Sequence, residues 1–166
     1  MAEIIQQQDS RRVFIDTLIE LASSDPTVCL IVPDVGFNYI EKFAEKFPDR
    51  YFNLGVTEAS SMCIAAGLAL SGMRPFIYSM VNFVAFRPFE MVRNMIALHH
   101  APVVILGVKG STSYKFLGFS HNMHFGDEDT YHLSPYMDCY IPQNNTEVRN
   151  FLQAAYEGGK PTYIRL

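Results

Sequence analysis

The sequence predicts an α/β fold: a doubly wound, mainly parallel six-stranded sheet with helices on both faces, in one domain over residues 1–166. Three observations carry that prediction. Short apolar runs alternate with helix-like stretches along the chain, which is the βαβ order. Those runs are continuously apolar, as strands covered on both faces must be. The 166 residues are 49% hydrophobic and 18% charged, enough for a real core.

Each element has a local cause. Ser10 is placed to cap a first helix that buries Phe14, Leu18, Ile19 and Leu21, and "SSDP" stops it. "TVCLIV" is the first strand. The helix "NYIEKFAEKF" halts before Pro48, which cannot continue it. Strand "YFNL" leads to a helix of small apolar residues from Glu58 to Leu70, then to strand "PFIYSM". Helix "RPFEMVRNMIALHH" and strand "PVVILGV" follow. A long loop rich in Gly, Ser, His and Asp is expected from Lys109 to about Ser134. Strand "DCYI", helix "TEVRNFLQAAYEG" and strand "PTYIRL" complete the order.

Composition excludes several classes. A net charge of −4 and the lack of any Lys/Arg run argue against a nucleic-acid face. Cys29, Cys63 and Cys139 share no metal or disulfide spacing and read as free thiols of a reducing compartment. "MAEIIQQQDSRR" has no apolar segment of the secretory kind, and no apolar run is long enough for a bilayer. A cytoplasmic protein without membrane partners is the expectation. Neither GxGxxG nor GxxxxGK[ST] occurs, which argues against an independent nucleotide site.

Ligands of doubly wound sheets bind outside the carboxyl ends of the strands. The residues expected there are Asp34, Glu58, Met80, Phe83 and Phe86. The long loop adds Lys109, Tyr114, His121, His124, Asp127, Glu128, Asp129 and His132, and Arg165 ends the last strand. Glu58 is the unusual one. A carboxylate in a first helical turn complements the helix dipole and needs no further role. The flanking "CIAAGLALSG", however, implies tight packing, and a carboxylic acid kept from water becomes able to share a proton near neutral pH. Such a group needs a partner. Phe83 and Phe86 are either core or a flat face on which a ring could stack. His121, His124 and Asp127 invite a metal reading, but "HNMHFGDED" matches no ligand motif, and a solvated loop is the simpler account.

These residues carry a likeness. "NLGVTEA" followed by "AAGLALSGMRP" resembles the pyrimidine-binding domain of the transketolase family, and the likeness runs from "SRRVFIDTLIELA" to "PTYIRL". The resemblance implies a thiamine-diphosphate enzyme, with Mg²⁺ and the diphosphate held by a larger partner subunit bearing a GDG motif, in an α2β2 heterotetramer. No GDG occurs here. By the same resemblance, Glu58 hydrogen-bonds the aminopyrimidine ring nitrogen and so promotes loss of the thiazolium proton. Phe83 stacks under that ring. Phe86 and Met80 edge the pocket, and Asp34 lies near the thiazolium. His121 moves substrate protons, with His124 as the alternative because the loop is longer than the family's. Arg11, Lys109 and Arg165 match sugar- or phosphate-contacting positions; a helix-start cation and a strand-end ion pair are the structural alternatives for the two arginines. Lys109 and Leu117 depart from the family's sugar-reading histidine and aspartate. The implied activity is transfer of a two-carbon ketol unit from a ketose to an aldehyde, with an unusual sugar as acceptor. Decarboxylation of a 2-oxoacid, acyloin-type carboligation and a non-catalytic regulatory role stay open. Apolar surface around "MVNFVAFRPF" is expected to face the partner.

Overall fold

The computed structural model describes residues 9–109, 114–123 and 126–166. Six strands form one sheet in the order β2-β1-β3-β4-β6-β5, and every pairing is parallel. They are β1 (Val28–Val32), β2 (Tyr51–Asn53), β3 (Arg74–Met80), β4 (Val104–Val108), β5 (Asp138–Tyr140) and β6 (Thr162–Arg165). All six runs read as strands in the sequence are strands.

Alternation along each strand divides the core in two. Leu30, Phe76, Leu106 and Ile164 face α1 (Ser10–Ser24) and α6 (Asn145–Gly158). Ile31, Ile77, Ile105 and Tyr163 face the opposite layer, built on α3 (Glu58–Leu70). Both faces are covered, which is why β1 and β4 are buried at every position. On the α3 side Ala65, Ala66 and Ala69 let the helix lie close to the sheet. Gly107 serves a similar purpose: a Cβ there would collide with the Tyr163 hydroxyl.

Several expectations are corrected. Asp9, not Ser10, caps α1, because its carboxylate accepts from the Arg11 N–H and Ser10 is already helical. Ile19 is only partly buried. The helix read from Arg87 begins earlier, as a π-helical turn over Asn82–Phe86 that precedes the short α4 (Phe89–Met91) and a second π-helical segment, Val92–Ala97. Pro88 has no N–H to donate, and Arg87 bonds back to Asn82 instead. The long loop contains a helix, α5 (Glu128–Leu133), whose Asp129 is fully buried. The segment "MVNFVAFRPF" is only in part a surface: Val81, Val84 and Ala85 belong to the core, while Phe83, Phe86 and Phe89 are partly buried. The exposed apolar side chains are elsewhere, Ile64 and Leu70 on α3 and Leu98 after the π-helical segment among them. Among the described residues, no helix is long and apolar enough to cross a membrane.

Candidate functional site

Strand order reverses direction between β1 and β3, so the connections leaving their carboxyl ends run to opposite sides, where such sheets form a ligand crevice. Asp34 follows β1 and Met80 ends β3. They line one cleft of about 280 Å³ together with Arg11, Tyr39, Tyr78 and Tyr114. Asp34 is exposed and has φ 54°, a left-handed conformation steadied by its N–H donating to Asn53 Oδ1 at 3.2 Å. Gly36 must be glycine here. Its φ is 92°, and a Cβ would meet Ile40 at 2.9 Å.

The second cleft, about 380 Å³, opens beside α3. Asn82, Phe83, Phe86 and Arg87 form one wall, and Phe119, Asn122 and Glu128 are on the other. Glu58 is the first residue of α3 and is only 5% exposed. Its carboxylate accepts from Arg87 Nη1. That guanidinium lies over Phe83, with Cζ 3.9 Å from the ring centroid. The rings of Phe83 and His121 meet edge to face, their centroids 5.0 Å apart. A buried acid, a flat aromatic face and a planar cation bridging them therefore occupy one corner.

The histidine turn is pinned to this wall. Asn82 Nδ2 donates to the Asn122 carbonyl at 2.8 Å, and Asn122 Nδ2 donates to Gly118 O at 2.6 Å. His121 Nδ1 and the Ser120 hydroxyl share a hydrogen bond of 2.9 Å. The amide oxygens of Asn82 and Asn122 are buried without a hydrogen-bond partner. His124 lies outside the described residues.

Phe83 and Phe86 line one cleft, to which Glu58 is joined through Arg87 and His121 through its contact with Phe83. Asp34, Met80 and Arg11 line the other. Lys109 stands between strand β4 and Tyr114, its ammonium 5.4 Å from that ring and its backbone at φ 50°. Arg165 takes the structural alternative, the strand-end ion pair. It donates to Asp127 at 2.6 Å, to Asp129 at 2.9 Å and to Gly126 O at 2.6 Å. Tyr163 donates to the other Asp129 oxygen, and burial raises that phenol's pKa well above its usual value. Asp127 is thus committed to Arg165. Among the described residues, no three His, Cys, Asp or Glu side chains are disposed to hold a metal ion. The thiols of Cys29 and Cys139 are pushed up to about 12 by burial, which suits inert core groups.

Arg87, Asp9 and Asn82 were not singled out in the sequence. Arg87 had a usable signal: it lies four residues after Phe83 in a helical stretch, the spacing that puts two side chains on one face.

Comparison with known proteins agrees with this geometry. The family described as "Transketolase, pyrimidine binding domain" matches residues 6–166. One subunit of the apulose-4-phosphate transketolase of Phocaeicola vulgatus is 30% identical over 158 residues, covering 94% of this chain and 50% of that protein. A 1-deoxy-D-xylulose-5-phosphate synthase of an Azoarcus species is 32% identical over 158 residues, covering 93% of this chain and 25% of that protein. Among solved structures, "Split gene transketolase, inactive beta4 tetramer" superposes with a TM-score of 0.82 at 29% identity, covering 95% of this chain and 50% of that one. The chain thus spans half the length of the split relatives it matches, and less of the synthases.

Proposed function

The chain belongs to the transketolase pyrimidine-binding domain family, and on that premise we propose that it supplies the pyrimidine side of a thiamine-diphosphate-dependent, transketolase-type active site. The observation that carries this reading is Glu58, an acid 5% exposed at the start of a small-residue helix and joined through Arg87 to the ring of Phe83. These residues fit an aminopyrimidine: an aromatic ring to stack on and a buried acid for a ring nitrogen.

When bound, the cofactor supplies a carbon nucleophile able to carry a two-carbon ketol unit. Glu58 would hold a proton at the ring nitrogen, and its burial keeps water from competing for that contact. Phe83 would support the ring and Phe86 would edge it. His121, whose ring touches Phe83, would move protons on the substrate, with Met80 and Asp34 bounding the neighbouring cleft toward the thiazolium and Lys109 at its rim. Arg87 must release Glu58 for the ring to seat, because both use the same carboxylate and the same aromatic face. The diphosphate and Mg²⁺ are assigned to a second, larger subunit with a GDG motif, in a heterotetramer of two chains of each kind, acting in the cytoplasm. Ketol transfer between sugars is the leading reaction.

The similarity to 1-deoxy-D-xylulose-5-phosphate synthases favours one second reading, condensation from a 2-oxoacid donor. Assembled enzyme given a ketose donor or pyruvate in turn separates the two, since each reaction consumes one donor. The test of the shared premise is Glu58→Gln in that assembly. Turnover should fall by roughly 10²- to 10⁴-fold with the fold intact. Wild-type turnover in this variant would remove the assignment.

A further inference from the structure

Arg87 takes the position that a ring seated between Phe83 and Glu58 would take. Its Nη1 donates to the Glu58 carboxylate, and its Cζ lies 3.9 Å from the centroid of the Phe83 ring. A guanidinium is planar, carries N–H donors around its rim, stacks on aromatic rings and pairs with carboxylates. An aminopyrimidine shares those properties, being flat and able to present N–H groups at its edge. The Arg87 side chain is thus an internal counterpart of such a ring. The local backbone brings it there. Arg87 closes the π-helical turn Asn82–Phe86, its N–H donating to the Asn82 carbonyl at 3.1 Å, and it follows Phe83 by four residues on the same face.

The two members of the pair are unequally held. The Glu58 side chain is 5% exposed and that of Arg87 43%. A buried carboxylate stripped of its partner is strongly unfavourable, so whatever removes the guanidinium has to replace its proton donor. A half-exposed guanidinium, in contrast, exchanges its partner for water at little cost. An incoming ring therefore gains its own stacking and hydrogen bonding less the contacts that Arg87 gives up. Resting on the thiamine-diphosphate reading above, we infer that Arg87 is a built-in competitor for the cofactor's aminopyrimidine. It lowers this chain's affinity for the ring, and it is displaced only by a flat ligand that brings a proton to Glu58. A ring with no such proton could stack on Phe83 but would leave the carboxylate buried and unpaired, so the competitor also selects what the site admits.

The test uses the full chain by itself and 4-amino-2-methylpyrimidine, titrated calorimetrically at neutral pH and constant ionic strength. The proteins are wild type, Arg87→Ala, Arg87→Gln, and Arg87→Ala combined with Glu58→Gln, each checked for folding by circular dichroism. Alanine removes the charge and the stem; glutamine removes the charge and keeps much of the stem, so a packing defect in one variant does not decide the result. Arg87→Ala should bind the probe roughly tenfold more tightly than wild type, the scale of a half-exposed ion pair together with a cation–π contact. Arg87→Gln should bind it more tightly as well. Adding Glu58→Gln should cancel the gain, because the charge-assisted bond is lost. 2-Methylpyrimidine, which has no amino group and a much less basic ring, should show no such gain. Unchanged binding in both Arg87 variants would overturn the inference and leave Arg87 a structural ion pair. Weaker binding in both would overturn it too, making Arg87 a contact of the ligand. Equal binding of the two probes by Arg87→Ala would remove the selection. The Glu58 assignment is tested apart from this, by turnover in the assembled enzyme. Lost turnover of Glu58→Gln with no gain here removes only the role of Arg87, and a gain here with normal turnover there removes only the catalytic role of Glu58.

Discussion

The two clefts are built on the same motif used in opposite senses. In each, a guanidinium lies on an aromatic ring and pairs with a carboxylate: Arg87 on Phe83 with Glu58, Arg11 on Tyr39 with Asp9. In the first pair the acid is buried, at 5% side-chain exposure, and the cation is outside, at 43%. In the second the cation is inside, at 17%, and the acid is outside, at 35%. The exposed member is the one that solvent can take away. Arg87 can leave while Glu58 stays in place, so this acid can change partners. Arg11 is gripped by two oxygens and a ring, and its partner is a capping residue, so this cation stays neutralised. Burial of one member decides whether a pair is a working group or a filled one.

The largest effect that would break this comparison is on Glu58. In the assembled enzyme Glu58→Gln should cost roughly 10²- to 10⁴-fold in turnover, read by steady-state kinetics, while circular dichroism stays that of wild type. Equal loss from Asp9→Asn would erase the distinction between the clefts.

At Arg165 the exposed partner is Asp127, while Asp129 is fully buried and the cation itself is largely covered. This group should therefore behave as structure. Arg165→Met leaves a buried carboxylate without its cation, and denaturant unfolding should show a loss of about 3 kcal/mol. Adding Asp129→Asn should recover part of that loss.

Arg87→Ala should cost less, about 1 kcal/mol, because its guanidinium is already half in water. If the loss comes from leaving Glu58 unpaired, combining it with Glu58→Gln should remove most of it in a double-mutant cycle. Additive losses would mean that Arg87 acts through its packing on Phe83.

The smallest effect belongs to Asp9. Asp9→Asn should change stability by less than about 0.5 kcal/mol at neutral pH, since the exposed ion pair contributes little and the cap is retained. Its signature is in pH. The Arg11 guanidinium hydrogen bond holds the Asp9 carboxyl well below the usual carboxylate range, against the opposing effect of burial. A group depressed in the folded state stabilises it above the unfolded value, near 4, and loses that contribution as pH falls further. Wild type should lose stability more steeply than Asp9→Asn below about pH 4, as measured by thermal unfolding. Parallel curves would place the Asp9–Arg11 pair outside the folding equilibrium.

Much of this molecule was legible before its coordinates. The helix Glu58–Leu70 was read with its observed bounds, because a run of small apolar residues between a strand and "SG" leaves little choice. The burial of Glu58 followed from those same neighbours. The helix over Glu128–Leu133 was missed, since its sequence looks like a polar loop and only contact with Arg165 and Tyr163 explains the buried Asp129. The early helical start at Asn82 was missed as well. The proline that reroutes the backbone bonds lies six residues later, and a π-helical turn has no periodic signature of its own.

The sequence by itself determined which segments are strands, which strands are covered on both faces, and the helices whose apolar spacing is regular, but not Glu128–Leu133. Those properties are written in the spacing of apolar residues within a few turns of chain. Only the tertiary structure decided the strand order β2-β1-β3-β4-β6-β5, and with it which carboxylate faces which guanidinium. Glu58 meets Arg87 and Asp129 meets Arg165 across segments far apart in the chain, where register and crossover, rather than local preference, set the distance between charges.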